Sequence, residues 1–382
     1  MTPIQRVSVT LLAVALCGVL VGGLTFTGAR AEGPIDQIMA GIGGAVSTVE
    51  SRIAHRLRGP GRKAELAWFT PYRESTDRLR RPEHVLLGAY DNGLPTSFDG
   101  VWALEDALDS RLPLVHLFTA WGDRPDQQFP ARAAQAISNV GSVPVVTWEP
   151  WLEAFREGRG LPPAGERDDG GLAAVASGAY DFYLERWARA AAAHGAPLLV
   201  RLGHEMNDAY RYPWGPHQNR PEDYVAMFRH VVEVFRQEGA DNVLWVWSPH
   251  LAYDYAAYYP GDDVVDWVGA TALNYGTVAY WSQWWTFEEI FEQHYDALRA
   301  YGKPIMLAEL GTIRAGGERA PWLADALTEL PTRLPEVKAV VFFHNDSDET
   351  LTYQALNWAF ARDSTVARVV REAIAPWAPH AQ

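Results

Sequence analysis

Leu198-Leu-Val-Arg-Leu-Gly-His-Glu-Met-Asn207 and Pro304-Ile-Met-Leu-Ala-Glu-Leu-Gly311 each carry a short apolar run into a glutamate, Glu205 and Glu309. Apolar residues at consecutive positions, not alternate ones, mark a strand covered on both faces, as in a parallel sheet wrapped by helices. A carboxylate that ends such a strand sits at the mouth of the fold. Working outward from these two segments, similar runs recur at Val85–Tyr90, Leu112–Trp121, Val143–Trp148, Val243–Ser248, Val264–Tyr275 and Ala339–His344. With Leu198–His204 and Ile305–Glu309 they make eight.

Between most of these runs the apolar spacing changes to three and four, which predicts helices over Ala131–Val140, Tyr180–Ala193, Pro221–Gln237, Thr286–Ala300, Pro321–Leu330 and Tyr353–Ile374. Pro221-Glu-Asp223 is a helix start, and Gly195 and Gly302 are stops. Eight strands alternating with helices predict an α/β fold of the (β/α)8 TIM-barrel type. An open doubly wound sheet would call for a glycine-rich loop after the first strand, and none follows Tyr90. Long loops at 149–170 and 249–262 then belong to the face that carries function.

The chain of 382 residues is 48% hydrophobic, enough for a large core. It begins with an uncharged stretch from Val7 to Leu24, followed by Ala29-Arg-Ala31. This predicts a signal peptide over 1–31, or an uncleaved N-terminal anchor in its place, and a secreted or periplasmic protein. Residues 32–80 read as a lead-in or linker with the basic stretch Arg52–Lys63, and 81–382 as one catalytic-type barrel domain, expected to be a monomer. Cys17 is the only cysteine and falls inside the signal segment, so the rest of the chain holds no disulfide and no thiolate site. A net charge of −14 argues against nucleic acid and anionic membrane surfaces as partners and suits a neutral ligand. Sixteen tryptophans and sixteen tyrosines suggest ring faces for stacking on sugars, beyond those that fill the core.

Glu205 would end the fourth strand and Glu309 the seventh, on opposite sides of a barrel of eight. Two carboxylates facing one another across the mouth suit glycosidic bond cleavage. A separation of about 5–5.5 Å gives retention and about 6.5–9.5 Å inversion. Arg201 lies four residues before Glu205, and strand alternation would put Arg201, Gly203 and Glu205 on one side. Arg201 would hold one carboxylate ionised, most usefully Glu309, and leave the other to carry a proton. His204 would bond a sugar hydroxyl or Glu205, unless it is structural. Tyr275 either orients Glu309 through its hydroxyl or caps the core. Trp148, Trp151, Trp214 and Trp247 stand at or just past strand ends as candidate sugar platforms, and Trp281, Trp284 and Trp285 as an outer subsite. His204-Glu205 is not a zinc motif: the second histidine would fall at Asp208. No metal or organic cofactor is expected.

Arg201-Leu-Gly-His-Glu-Met-Asn207 with Tyr212-Pro-Trp-Gly215 resembles the acid/base segment of glycoside hydrolase family 26, and Ala308-Glu-Leu-Gly311 its nucleophile segment. Asp266-Trp-Val-Gly269 leading to Tyr275, and Val243-Leu-Trp-Val-Trp-Ser-Pro249, resemble its sixth and fifth strands. The resemblance implies a (β/α)8 barrel and a retaining mechanism, with Glu205 as acid/base and Glu309 as nucleophile. It also implies a polysaccharide substrate: β-1,4-mannan, glucomannan, a β-glucan or β-1,3-xylan. Two departures bear on the sugar. Asp208-Ala-Tyr210 replaces the family's Gly-x-Trp, so Tyr210 stands where a tryptophan serves the leaving-group side. The eighth strand, Val340-Val-Phe-Phe-His-Asn345, lacks the family's tryptophan, leaving Phe342, Phe343 or His344 in its place. The pattern also resembles family-26-like proteins of exopolysaccharide or cellulose production, for which the alternative is a non-catalytic carbohydrate-binding accessory protein.

Overall fold

A computed structural model describes residues 58–351 and 353–377; the expected signal segment and residues 32–57 of the lead-in lie outside them. Eight parallel strands follow one another around a closed barrel: β1 (Leu86–Asp91), β2 (Leu114–Ala120), β3 (Val143–Glu149), β4 (Leu198–Leu202), β5 (Val243–Trp247), β6 (Trp267–Asn274), β7 (Ile305–Thr312) and β8 (Val337–His344). β8 closes the ring on β1, from Leu86 opposite Ala339 to Asp91 opposite His344. All eight strands lie where the apolar runs put them.

Helices at Ala131–Asn139, Asp181–His194, Pro221–Gln237, Gln293–Arg299 and Arg319–Leu327 agree with the three-and-four spacing. Gly195 ends one of them in the left-handed conformation, φ 72°. Two helical assignments change. Asp99–Leu108 is a helix that the spacing did not single out. The last helix is Ser364–Ile374, not Tyr353–Ile374. Asp363 caps it by accepting from Val366 N, and residues 353–363 form a loop that carries Trp358 back to the barrel mouth.

The barrel interior is filled from below by Leu86, Leu114, Val143, Leu199, Leu244 and Met306. Leu66, Phe69, Tyr72 and Leu79 pack into the same cluster. The described part of the expected lead-in is therefore a helical plug under the barrel. The basic stretch supplies its anchor: Arg62 is 1% exposed and donates to Glu105 Oε1 at 2.6 Å, to Leu112 O at 2.8 Å and to Val140 O at 2.6 Å. A guanidinium can be buried only with its charge and donors satisfied. Among the described residues no helix is long and apolar enough to cross a membrane.

Glu105→Ala strands the Arg62 charge. It should lower stability by about 3–5 kcal/mol, read as a lower urea midpoint at unchanged slope. A loss below about 1 kcal/mol would show that the plug is not held by this pair.

Candidate active site

Arg201 is inward-facing and fully buried, opposite Thr147 on β3 and Val246 on β5. Its Nη1 donates to Glu309 Oε1, and its Nη2 donates to Thr271 Oγ1 at 2.8 Å. The Thr271 hydroxyl also helps to hold the Glu205 carboxyl low. Arg201 thus acts on both carboxylates, by a hydrogen bond on Glu309 and through its charge on Glu205.

Neither glutamate gets there by regular strand geometry. Met306 and Ala308 belong to the interior cluster, so strict alternation would turn Glu309 outward. β7 instead carries an extra residue. Ala270 and Thr271 face Leu307 and Glu309, and Val340 and Phe342 face Leu307 and Leu310. The bulge cancels the alternation and re-aims Glu309 inward. β4 ends at Leu202, not His204, so the alternation expected to align Arg201, Gly203 and Glu205 does not run that far. Gly203 and Glu205 take left-handed backbone, φ 50° and 53°. For glutamate this costs roughly 1–2 kcal/mol. Glu205 N donates to Ser248 O at 2.7 Å and Gly203 N to Trp148 O at 3.0 Å, which fixes the turn between β3 and β5.

The charges divide differently from expectation. Burial acts to raise Glu205, but Arg211, His250 and Arg201 outweigh it and hold this carboxyl below its ordinary range. Burial raises Glu309 despite Arg201, helped by the negative charge of Glu205. Glu205 is therefore the more firmly ionised of the two. Arg211, which the sequence did not flag, is the reason. Its Nη1 donates to Glu205 Oε2 at 3.3 Å and its Nη2 to Tyr275 Oη at 3.0 Å. Tyr275 is thus partnered with Arg211 rather than Glu309, and burial pushes its hydroxyl up to about 12. His204 bonds Tyr212 Oη at 2.9 Å, not Glu205, and burial beside Arg201 and Arg211 keeps it neutral.

Glu149, at the end of β3, is a third carboxyl at the mouth. Burial and the nearby Glu309 raise it to about 7, against a hydrogen bond from Trp151 Nε1 at 3.1 Å. It carried the same signal as Glu205 and Glu309, an apolar run ending in glutamate. On β2, buried His116 bonds Thr147 Oγ1 at 2.7 Å.

Three tryptophans leave the list of sugar platforms. Trp148 and Trp247 are fully buried on the helix side, Trp148 stacked on Trp187 at 4.3 Å and Trp247 against Tyr259 at 5.1 Å. Trp214 is buried as well; it donates to His204 O at 2.8 Å and stacks on Tyr212. Trp284 lies half-buried against Gly317, where any side chain would strike its indole. The cleft above Glu205 holds about 930 Å³, and Arg211, Tyr210, Tyr275, Trp281 and Trp285 are among its walls. On β8 the ring at the mouth is Phe343, stacked on Tyr90 at 5.2 Å; Phe342 points into the helix layer and His344 bonds Asp91. Trp358 packs edge-on to Tyr275 and Phe343 behind it. Glu205, Asp208 and His250 bring possible ligand atoms within 4.8 Å of one another, although no metal motif is legible in the sequence. The Arg211 cation already faces the Glu205 oxygen of that group.

The profile described as Glycosyl hydrolase family 26 matches residues 180–326. Endoglucanase H of Acetivibrio thermocellus is 32% identical over 280 residues, covering 69% of this chain and 29% of that protein. Beta-1,3-xylanase TXYA of a Vibrio species is 30% identical over 146 residues, 35% of this chain and 28% of that protein. The chain thus spans less than a third of these curated relatives. A GH26 beta-mannanase from Bacteroides ovatus, BoMan26A, shares the fold, with a TM-score of 0.54 at 17% identity over 78% of this chain and 90% of that one.

Glu149 binds its proton more tightly in the folded state than at its ordinary 4.5. Stability therefore falls as the pH rises from about 4.5 through about 7. Glu149→Gln removes this loss, so the variant should gain stability relative to wild type across that window in denaturant titrations. A constant difference between the two proteins would exclude a buried, proton-holding Glu149.

Proposed function

Since this chain belongs to glycoside hydrolase family 26, we propose that it is a retaining β-glycanase in which Glu309 is the nucleophile and Glu205 the acid/base. The observation that carries this reading is the Arg201 guanidinium, which donates to Glu309 and to Thr271 and acts electrostatically on both glutamates at the barrel mouth. Arg201 serves the nucleophile: it positions Glu309 and stabilises the ionised form needed for attack on the anomeric carbon. Glu205 lies on the cleft side, where it gives a proton to the leaving oxygen. It then takes one from the water that releases the glycosyl-enzyme.

Tyr90, Phe118 and Phe343 form an aromatic cluster at the mouth and supply the apolar floor under the reacting sugar. Tyr210, 80% exposed and 6.4 Å from Tyr253, extends an aromatic wall on the leaving-group side. Exposed Trp281 and Trp285 line another stretch of the cleft. Rings along the cleft as well as at its base favour cleavage within a β-linked polymer, of the glucan or mannan type, by a secreted protein.

Glu309→Ala should abolish turnover of any β-glycan and, by stranding the buried Arg201 charge, lower stability by about 3–5 kcal/mol in denaturant titrations; residual turnover by the folded variant would remove Glu309 from the nucleophile role. Glu205→Ala should lower polysaccharide hydrolysis on the order of 10²–10⁴-fold. With an activated aryl glycoside the same variant should accumulate a covalent adduct on the peptide containing Glu309, seen by mass spectrometry. An adduct on another peptide, or none, would count against the double displacement.

A further inference from the structure

Arg211 has no task in the hydrolytic steps above, and by holding Glu205 ionised it opposes one of them. Its head group borders the cleft with the side chain 29% exposed, held by one hydrogen bond to Glu205 and one to Tyr275. It also lies 5.8 and 5.9 Å from the ring centroids of Tyr212 and Tyr275. A permanent cation with N–H donors to spare therefore faces the space a sugar enters, beside the group that must protonate the leaving oxygen.

Counting charge shows what is missing. In the resting site Glu309 is matched by Arg201 and Glu205 by Arg211. The first chemical step requires Glu205 in its acid form, and Arg211 then loses the carboxylate that its hydrogen bond reaches. Tyr275 stays neutral because its hydroxyl titrates at about 12. The carboxylate of Asp208 is turned to Tyr210 N at 2.8 Å, with His250 4.0 Å away. A neutral sugar leaves this imbalance in place. A carboxylate on the substrate corrects it: it takes the guanidinium in a paired hydrogen bond, for which arginine geometry is suited. Its negative charge also favours uptake of a solvent proton by the released Glu205.

We propose that Arg211 reads a carboxylate on the substrate: the polysaccharide is an acidic β-glycan with a uronate or similar carboxylate on a sugar flanking the scissile bond. This deepens the hydrolase reading and rests on it. The chain's net charge of −14 does not oppose it at contact. Repulsion between separated surface charges is screened beyond about 8 Å at physiological ionic strength, whereas a guanidinium in a cleft acts at hydrogen-bond range.

Binding to the non-hydrolysing Glu309→Ala protein tests it by calorimetry. The probes are gluco- and manno-tetrasaccharides, each as the neutral form and as the C6-carboxylated form. In at least one series the carboxylated form should bind about tenfold more tightly, a difference of about 1.4 kcal/mol. Adding Arg211→Met should erase that preference, bringing the two forms of each pair to within about threefold of one another. Arg211→Lys, which keeps the charge but not the fork, should retain part of it. Equal affinities within each pair, a preference that survives Arg211→Met, or no binding by any probe would overturn the proposal. Hydrolysis by the wild-type protein is scored separately. An active glycanase with no carboxylate preference sinks this inference alone, and a carboxylate binder that cleaves nothing sinks the hydrolase reading alone.

Discussion

A guanidinium at zero exposure inside a barrel is tolerable only if its charge is met at once, and Arg201 meets it with Glu309. Much of the site follows from that pair. The counter-charge has to come from across the barrel, which explains why β7 interrupts its register to turn Glu309 inward. The second arm of the guanidinium donates to Thr271, whose hydroxyl helps to hold the Glu205 carboxyl low. Burial with Arg201 nearby also keeps His116 and His204 neutral, so both rings are available as hydrogen-bonding groups. Removing either member of the pair would leave an uncompensated charge at the centre of the fold. The geometry of the proposed site and the stability of the core are therefore not separable here.

Regular secondary structure carries the scaffold, and departures from it carry the proposed chemistry. Glu309 depends on an extra residue in a strand, and Glu205 on a left-handed backbone that glutamate adopts at a cost. Each departure is over-determined by its surroundings. The bulge is gripped by pairing on both sides, and the Glu205 turn by hydrogen bonds to β3 and β5. The long loops are tied to one another in the same way: Asn207 exchanges hydrogen bonds with the backbone of His250, at 2.8 and 2.7 Å. The aromatic wall bearing Tyr210 and Tyr253 is thus anchored to the strand that presents the proposed acid/base.

The eight strands were legible because each is buried on both faces and so reads as an unbroken apolar run. Glu205, Glu309 and Arg201 were legible for the converse reason: a charge inside or at the end of such a run needs a partner. Glu149 obeys the same rule. The tryptophans show the limit of local reading. Whether Trp148 and Trp247 face the cleft or the helices depends on their parity relative to Arg201. That parity is set by the pairing of Thr147 and Val246 with Arg201, a fact of register between distant segments. Arg211 was harder still. It lies on a turn whose direction is set by the positive φ of Gly203 and Glu205, and nothing in Asp208-Ala-Tyr-Arg-Tyr212 announces where the guanidinium will land. The short last helix and the loop that returns Trp358 to the mouth were hidden because apolar residues that pack on a barrel can mimic helical spacing.

The two arginines are not equivalent, and the difference matches the different demands of the roles proposed for the two glutamates. A nucleophile must be ionised when attack begins and can be served by a fixed partner; Arg201 is such a partner, enclosed by the barrel. An acid/base must change its protonation state twice in each cycle, and a permanent, enclosed cation beside it would resist the change. Arg211 is placed on the cleft wall, partly exposed, at the longer distance of 3.3 Å from its carboxylate. A ligand entering the cleft can therefore compete for it. A ligand that draws Arg211 away from Glu205 is then part of what prepares the proposed acid.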